Sequence, residues 1–160
     1  RASSKDLQTR MDQLAKVILA GTGDPYAGKA RFVQRCAKCH SLFGVGEQVG
    51  PDLTSYQRRD LPNMLLAVVN PDAEIREGYE NHLVVTDDGR TLTGILVDQD
   101  LQTIVIRGAD GQVFTMSRES IDAMEVMKAS MMPTGVLRDL TDVQIRDLFA
   151  YLRSSQPLND

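Results

Sequence analysis

The spacing of apolar positions changes along the chain, and each change predicts an element. From residue 4 to residue 20, Leu7, Met11, Leu14, Ile18 and Leu19 fall at helical spacing until Gly21 and Gly23 end the run. Such a helix must bury one side, either on the rest of this chain or on a neighbouring domain. Asp24-Pro25 reads as a second helix start, with Asp as cap and Pro in the first helical position. Ala27, Ala30, Phe32, Val33 and Cys36 then supply an apolar stripe. Leu61 to Val69 predicts a short helix with Pro62 near its first turn, ending at Asn70-Pro71.

After that the period drops to two. Leu83-Val85, Leu92-Gly94-Leu96, Ile104-Ile106 and Val113 alternate with more polar neighbours, as half-buried strands do. Asp87-Asp88-Gly89, Gln99-Asp100 and Ala109-Asp110-Gly111 mark turns between these runs. Residues 80–127 therefore predict an antiparallel meander of four or five strands, closed or strongly curled. This segment holds no cluster of acid, base and nucleophile. The helical period returns at Thr141, where Gln144 completes a capping box. Val143, Ile145, Leu148, Phe149 and Leu152 form the expected buried side of that last helix, with Asp139, Asp142, Arg146, Asp147 and Arg153 solvated.

Composition narrows the class. The 160 residues are 42% hydrophobic, but with four Phe, four Tyr and no Trp the core must fill with aliphatics or with something that is not protein. The formal net charge is −4 and no run of Lys or Arg occurs, so a nucleic-acid footprint is absent. A mildly acidic surface suits docking to a basic patch. No stretch approaches the roughly 18 apolar residues that span a bilayer. The opening residues are polar, without the apolar core of a signal peptide. A chain beginning at Arg reads as a mature product or a piece of something longer, and the polar first residues favour the piece, reading like an interdomain linker.

Both cysteines sit in Arg35-Cys36-Ala37-Lys38-Cys39-His40. Cys-x-x-Cys-His is the attachment signature of c-type haem. Residues three apart at a helix end share a face, so both sulfurs can reach one edge of a porphyrin, and the next residue carries an imidazole beneath its centre. A zinc site would need four ligands, and only His82 remains as a further nitrogen donor, at a spacing no zinc finger uses. A redox dithiol of the thioredoxin kind wants a strand before the motif and a helix after it. Here the helical pattern precedes the motif and glycine-rich chain follows: Ser41 to Gly46, then Gly50-Pro51-Asp52-Leu53.

This motif, followed by Gly50-Pro51-Asp52-Leu53, Met132-Pro133 and a terminal amphipathic helix, resembles class I cytochromes c. More narrowly it resembles the haem-binding domains at the C-termini of large multidomain proteins of planctomycetes and verrucomicrobia, over residues 24 to 155. The resemblance implies a mainly α cytochrome c fold carrying an antiparallel β meander at about 80–127, α+β overall, behind an N-terminal helix or linker at 1–23. It implies thioethers at Cys36 and Cys39, His40 as proximal iron ligand, and the Pro51 carbonyl as acceptor for the His40 imidazole. It also implies that Gly28 and Phe32 cross the C-terminal helix near Leu148 and Tyr151. Leu53 belongs to the same haem-side loop, and Arg58 is a candidate partner for a haem propionate.

Among seven methionines, Met132 stands out as the candidate sixth ligand because Pro133 restricts it to extended geometry. His82 and an open site are the alternatives. The implied function is single-electron transfer by one covalent haem c and its iron, not catalysis. The implied partner is a redox protein or a fused dehydrogenase domain. The implied location is extracytoplasmic, such as the periplasm, where this haem is attached. The β segment then either walls off one haem edge or holds a partner domain. A haem enzyme or gas sensor with a labile sixth site, and an assembly module, are the rival functions.

Overall fold

Ser3 opens the first helix, α1 (Ser4–Leu19). Its hydroxyl accepts from the Asp6 N–H while the Asp6 carboxylate accepts from the Ser3 N–H, so two otherwise orphaned donors are satisfied. Met11, Leu14 and Ile18 are buried on its inner side, against two later helices. Asp24 caps α2 (Pro25–Arg35) by accepting from the Tyr26 N–H at 2.9 Å. A two-residue strand, β1 (Ser41–Leu42), then pairs with β2 (Val45–Gly46) in a tight antiparallel hairpin. Asp60 caps α3 (Leu61–Val69), whose Leu61, Met64, Leu65 and Val69 are buried. Thr141 and Gln144 form the reciprocal capping box of α4 (Asp142–Leu152).

The computed structural model describes residues 2–159 and divides into two units. One runs to Ala73 and resumes at Thr134, and the other is Glu74–Pro133. In the first unit α2 and α4 make the closest crossing. A Cβ built on Gly28 would lie 1.9 Å from the Asp147 carbonyl oxygen, so only glycine lets the backbones approach this far. The Phe32 ring, fully buried, meets the Tyr151 ring with centroids 5.4 Å apart.

The contact line of α2 is Gly28, Phe32 and Cys36, one turn apart. Ala30 and Val33, expected in the apolar stripe, lie off that line and face solvent, with Val33 53% exposed. Val143, expected to be buried on α4, is likewise 59% exposed, and Tyr151 takes the core position instead. Three charges expected in solvent, Arg146, Asp147 and Arg153, are half-buried and bonded, the last donating to the Arg59 carbonyl at 3.1 Å. The Arg146 Nε–H donates to the Val17 carbonyl at 3.0 Å, and the Asp147 carboxylate accepts from the Asp24 N–H at 2.8 Å. They tie α4 to the end of α1 and the start of α2.

The second unit is a five-stranded antiparallel sheet: β3 (Asn81–Thr86), β4 (Thr91–Gln99), β5 (Thr103–Arg107), β6 (Val113–Ser117) and β7 (Ile121–Val126). Val84, Ile104 and Ile106 are fully buried, with Leu92, Leu96, Met116, Ile121 and Met124 packed around them. The expected meander holds for β3 through β6 only. The chain then passes through a 3₁₀ turn at Arg118–Ser120, and β7 pairs with β3. The strand order is β6-β5-β4-β3-β7, an open sheet with edges at β6 and β7.

The expectation of a mainly α cytochrome c fold is overturned. Four α-helices stand beside a five-stranded and a two-stranded sheet among the described residues, so the chain is α+β. Sequence periodicity located the strand-rich segment but treated it as an appendage, whereas it has a buried core of its own. No helix among the described residues is long and apolar enough to cross a membrane.

Candidate functional site

The Cys-x-x-Cys-His segment is the frayed end of α2. The Cys36 and Ala37 N–H groups both donate to the Phe32 carbonyl, and the Cys39 and His40 N–H groups both donate to the Cys36 carbonyl. This tight winding brings both cysteines and the histidine within two turns of chain. Both thiols are free and half-buried. Burial, reinforced by neighbouring Cys39, pushes the Cys36 thiol up to about 11 against the opposing pull of Arg35. Cys36 also caps the carboxyl end of a helix, where the dipole disfavours a thiolate. Reactive dithiols use the opposite arrangement, at a helix N-terminus with a lowered pKa. At neutral pH, Cys36 is a protonated thiol.

The His40 imidazole is fixed from two sides. Its Nδ1 lies 2.8 Å from the Pro51 carbonyl oxygen. A carbonyl can only accept, so Nδ1 carries the proton and Nε2 keeps its lone pair. Burial lowers the pKa of His40, and the Pro51 bond works against that shift. Gly50 lies flat on the ring: a Cβ there would stand 2.7 Å from Cε1 and 3.0 Å from Nδ1. The loop that delivers Pro51 is stitched to the motif by Gly50 N–H to the Cys39 carbonyl at 2.7 Å. Glu47 N–H to the Ala37 carbonyl and Leu53 N–H to the Ser41 carbonyl add two bonds of 2.8 Å. Leu53 is half-buried against the core of the first unit. Replacing Gly50 with alanine is expected to tilt the His40 ring off the Pro51 carbonyl. The Nδ1–H resonance, expected to be sharp in the wild type, should broaden or vanish in a proton–nitrogen spectrum. An unchanged resonance would contradict the tight contact.

The hairpin β1–β2 was expected only as loose glycine-rich chain. Its turn places Phe43 at a φ of 50°, the left-handed region, with the Phe43 N–H donating to Thr54 Oγ1 at 2.9 Å. Thr54 in turn donates to Asp52, whose carboxyl these bonds hold below the usual range.

Arg58, the candidate propionate partner, is buried and its guanidinium is engaged by the protein's own carbonyls. Nη1 donates to Leu152 at 2.8 Å and to Ser154 at 2.5 Å, and Nη2 donates to Thr54 at 3.3 Å. Its role as a cap on the end of α4 links positions more than 90 residues apart, a pairing with no local sequence signal.

Cys36, Cys39, His40, Pro51, Leu53 and Arg58 all belong to the first unit. His82 and Met132 belong to the second. His82 sits on β3, where its Nδ1–H donates to the Glu80 carbonyl at 3.1 Å. The chain bends at Met131 and Met132 where extended geometry was expected, because the Met132 N–H turns back to Ser130 Oγ at 3.1 Å. Among the described residues no three His, Cys, Asp or Glu side chains converge as a set for one metal ion. A search of known family models and of curated proteins finds no match to this chain.

Proposed function

We propose that this chain is a monohaem c-type cytochrome domain that passes single electrons to and from a redox partner. One observation carries the reading: in Cys36-x-x-Cys39-His40, the imidazole is held by Pro51 in the tautomer whose Nε2 lone pair is available to a metal. The donor set fits the group. The free thiols of Cys36 and Cys39 would supply two thioether links, and the imidazole of His40, with its Nε2 lone pair free, would ligate the iron. A zinc ion would instead need several of these donors aimed at one point.

When bound, haem supplies a one-electron iron couple. The protein's part is to hold and tune it. Cys36 and Cys39 would hold the group covalently, so that it could not be lost. The Pro51 carbonyl, by accepting the Nδ1 proton, orients His40 and raises its basicity. Gly50 blocks rotation of the ring. The apolar side chains of Leu53, Val45 and Phe43 lower the dielectric near the motif. Met132 enters as sixth ligand on sequence grounds alone, through the Met132-Pro133 pair. A dehydrogenase, separate or fused to this chain, fits as electron donor, and maturation of the haem places the protein outside the cytoplasm.

Visible spectroscopy of protein matured in an export-competent host tests this reading. The reduced form is expected to give the sharp absorption bands of low-spin haem c, and the oxidised form a weak far-red band from iron–sulfur bonding. Met132→Ala should abolish the far-red band, and His82→Ala should leave it. A far-red band that survives Met132→Ala would remove Met132 as ligand. High-spin features in the wild type would favour a ligand-binding enzyme or sensor instead.

A further inference from the structure

Arg58 is 8% exposed, carries a full charge and, among the described residues, faces no carboxylate that pairs with it. A buried guanidinium is costly unless its donors are met, and among the described residues the Nε–H has no partner. An apolar residue would fill the same volume more cheaply. What Arg58 does instead is join three pieces of chain. Nη1 holds the Leu152 and Ser154 carbonyls at the end of α4, Nη2 holds the Thr54 carbonyl, and the guanidinium lies 4.9 Å over the Phe43 ring.

Phe43 and Thr54 are bonded to each other, and each stands three residues beyond a partner in the His40–Pro51 hydrogen bond. The Leu53 N–H to Ser41 carbonyl bond runs between them. The two arms leaving His40 and Pro51 are thus clamped together at their far ends, with Arg58 as the fastener to α4. The left-handed backbone of Phe43 is unfavourable for a bulky residue. It places the ring where the guanidinium covers it.

We propose that Arg58 is a positioning residue for His40: by bracketing Phe43 and Thr54 it sets the hydrogen bond between His40 Nδ1–H and the Pro51 carbonyl. The structural half stands on its own. The redox consequence rests on the haem reading.

The test compares Arg58→Met, Arg58→Lys and Arg146→Met with wild type as purified, in the reduced state when the protein carries haem. Arg146 is the control, since it also donates to a distant carbonyl in the same unit but lies on the α1–α4 contact. The readout is exchange of the His40 Nδ1 proton with solvent by NMR, alongside thermal unfolding. Arg58→Met should speed exchange about tenfold or more, the size expected for losing one well-made hydrogen bond to a charged group. Arg146→Met should lower the unfolding midpoint and leave exchange at the wild-type rate. Arg58→Lys keeps the charge but cannot fork between α4 and Thr54, so it should exchange faster than wild type even where Arg58→Met fails to fold. With haem bound, the potential of Arg58→Lys should rise, because a weaker bond to Pro51 leaves His40 a poorer donor. Equal exchange in the Arg58 and Arg146 variants would overturn the inference while leaving the haem reading untouched. Absence of haem from wild type would end the haem reading, and the exchange comparison would still decide the role of Arg58.

Discussion

Gly28→Val is expected to cost the first unit most of its stability. The substituted Cβ would fall 1.9 Å from the Asp147 carbonyl oxygen and 2.9 Å from the Tyr151 Cβ, so α2 and α4 must separate. Separation uncovers Phe32 and Tyr151, and it breaks the Asp24 N–H to Asp147 bond that caps one helix with the other. Overpacking in a tight core costs about 1–3 kcal/mol, and the first added carbon here overlaps backbone, which cannot move aside like a flexible side chain. A loss of about 3 kcal/mol or more follows, read as a lower midpoint in chemical denaturation. Val33→Ala on the exposed side of the same helix should stay within about 0.5 kcal/mol of wild type. A Gly28→Val protein that unfolds at the wild-type midpoint would contradict the crossing.

The second large effect is chemical. Cys36→Ser with Cys39→Ser is expected to abolish covalent retention of haem altogether, and either single change should leave one thioether and a weaker, shifted absorption. The reason is bond count: on the proposed reading each sulfur would contribute one covalent link, and nothing else in the motif can form one. His40→Ala should keep both thioethers and lose the low-spin spectrum, since no neighbouring side chain in the motif offers a second imidazole. The three outcomes separate attachment from ligation. Haem that survives denaturing electrophoresis in the double serine variant would contradict the assigned linkage.

The helices were legible because their ends are local. Asp24-Pro25, Thr141 with Gln144, and the apolar spacing from Leu61 to Val69 each occupy fewer than ten residues, and each element begins where those signals place it. The inner faces were less legible. Val33 and Val143 suit a buried stripe by residue type, yet the crossing of α2 on α4 is set by Gly28 and Phe32, and it turns both valines outward. Strand periodicity gave β3 to β6 and their turns, but pairing of β7 with β3 bridges about forty residues, a distance at which alternation carries no information.

The same division runs through the candidate site. The Cys36–His40 motif and the Gly50-Pro51 loop were readable because the chemistry lies in adjacent residues. The hairpin at Phe43 hides behind a non-glycine residue in a left-handed turn, a choice that β-turn signals do not favour. Arg58 was visible as a cation and suggested an anionic partner. Its carbonyl partners Leu152 and Ser154 come from the far end of the chain, so its burial became apparent only in three dimensions.

The most direct measurement is the intact mass of the wild-type chain, matured in an export-competent host and then extracted with acidified organic solvent. One covalent haem should remain on the polypeptide, with neither Cys36 nor Cys39 open to alkylation. A mass equal to that of the bare sequence, with both thiols alkylated, would contradict a c-type cytochrome.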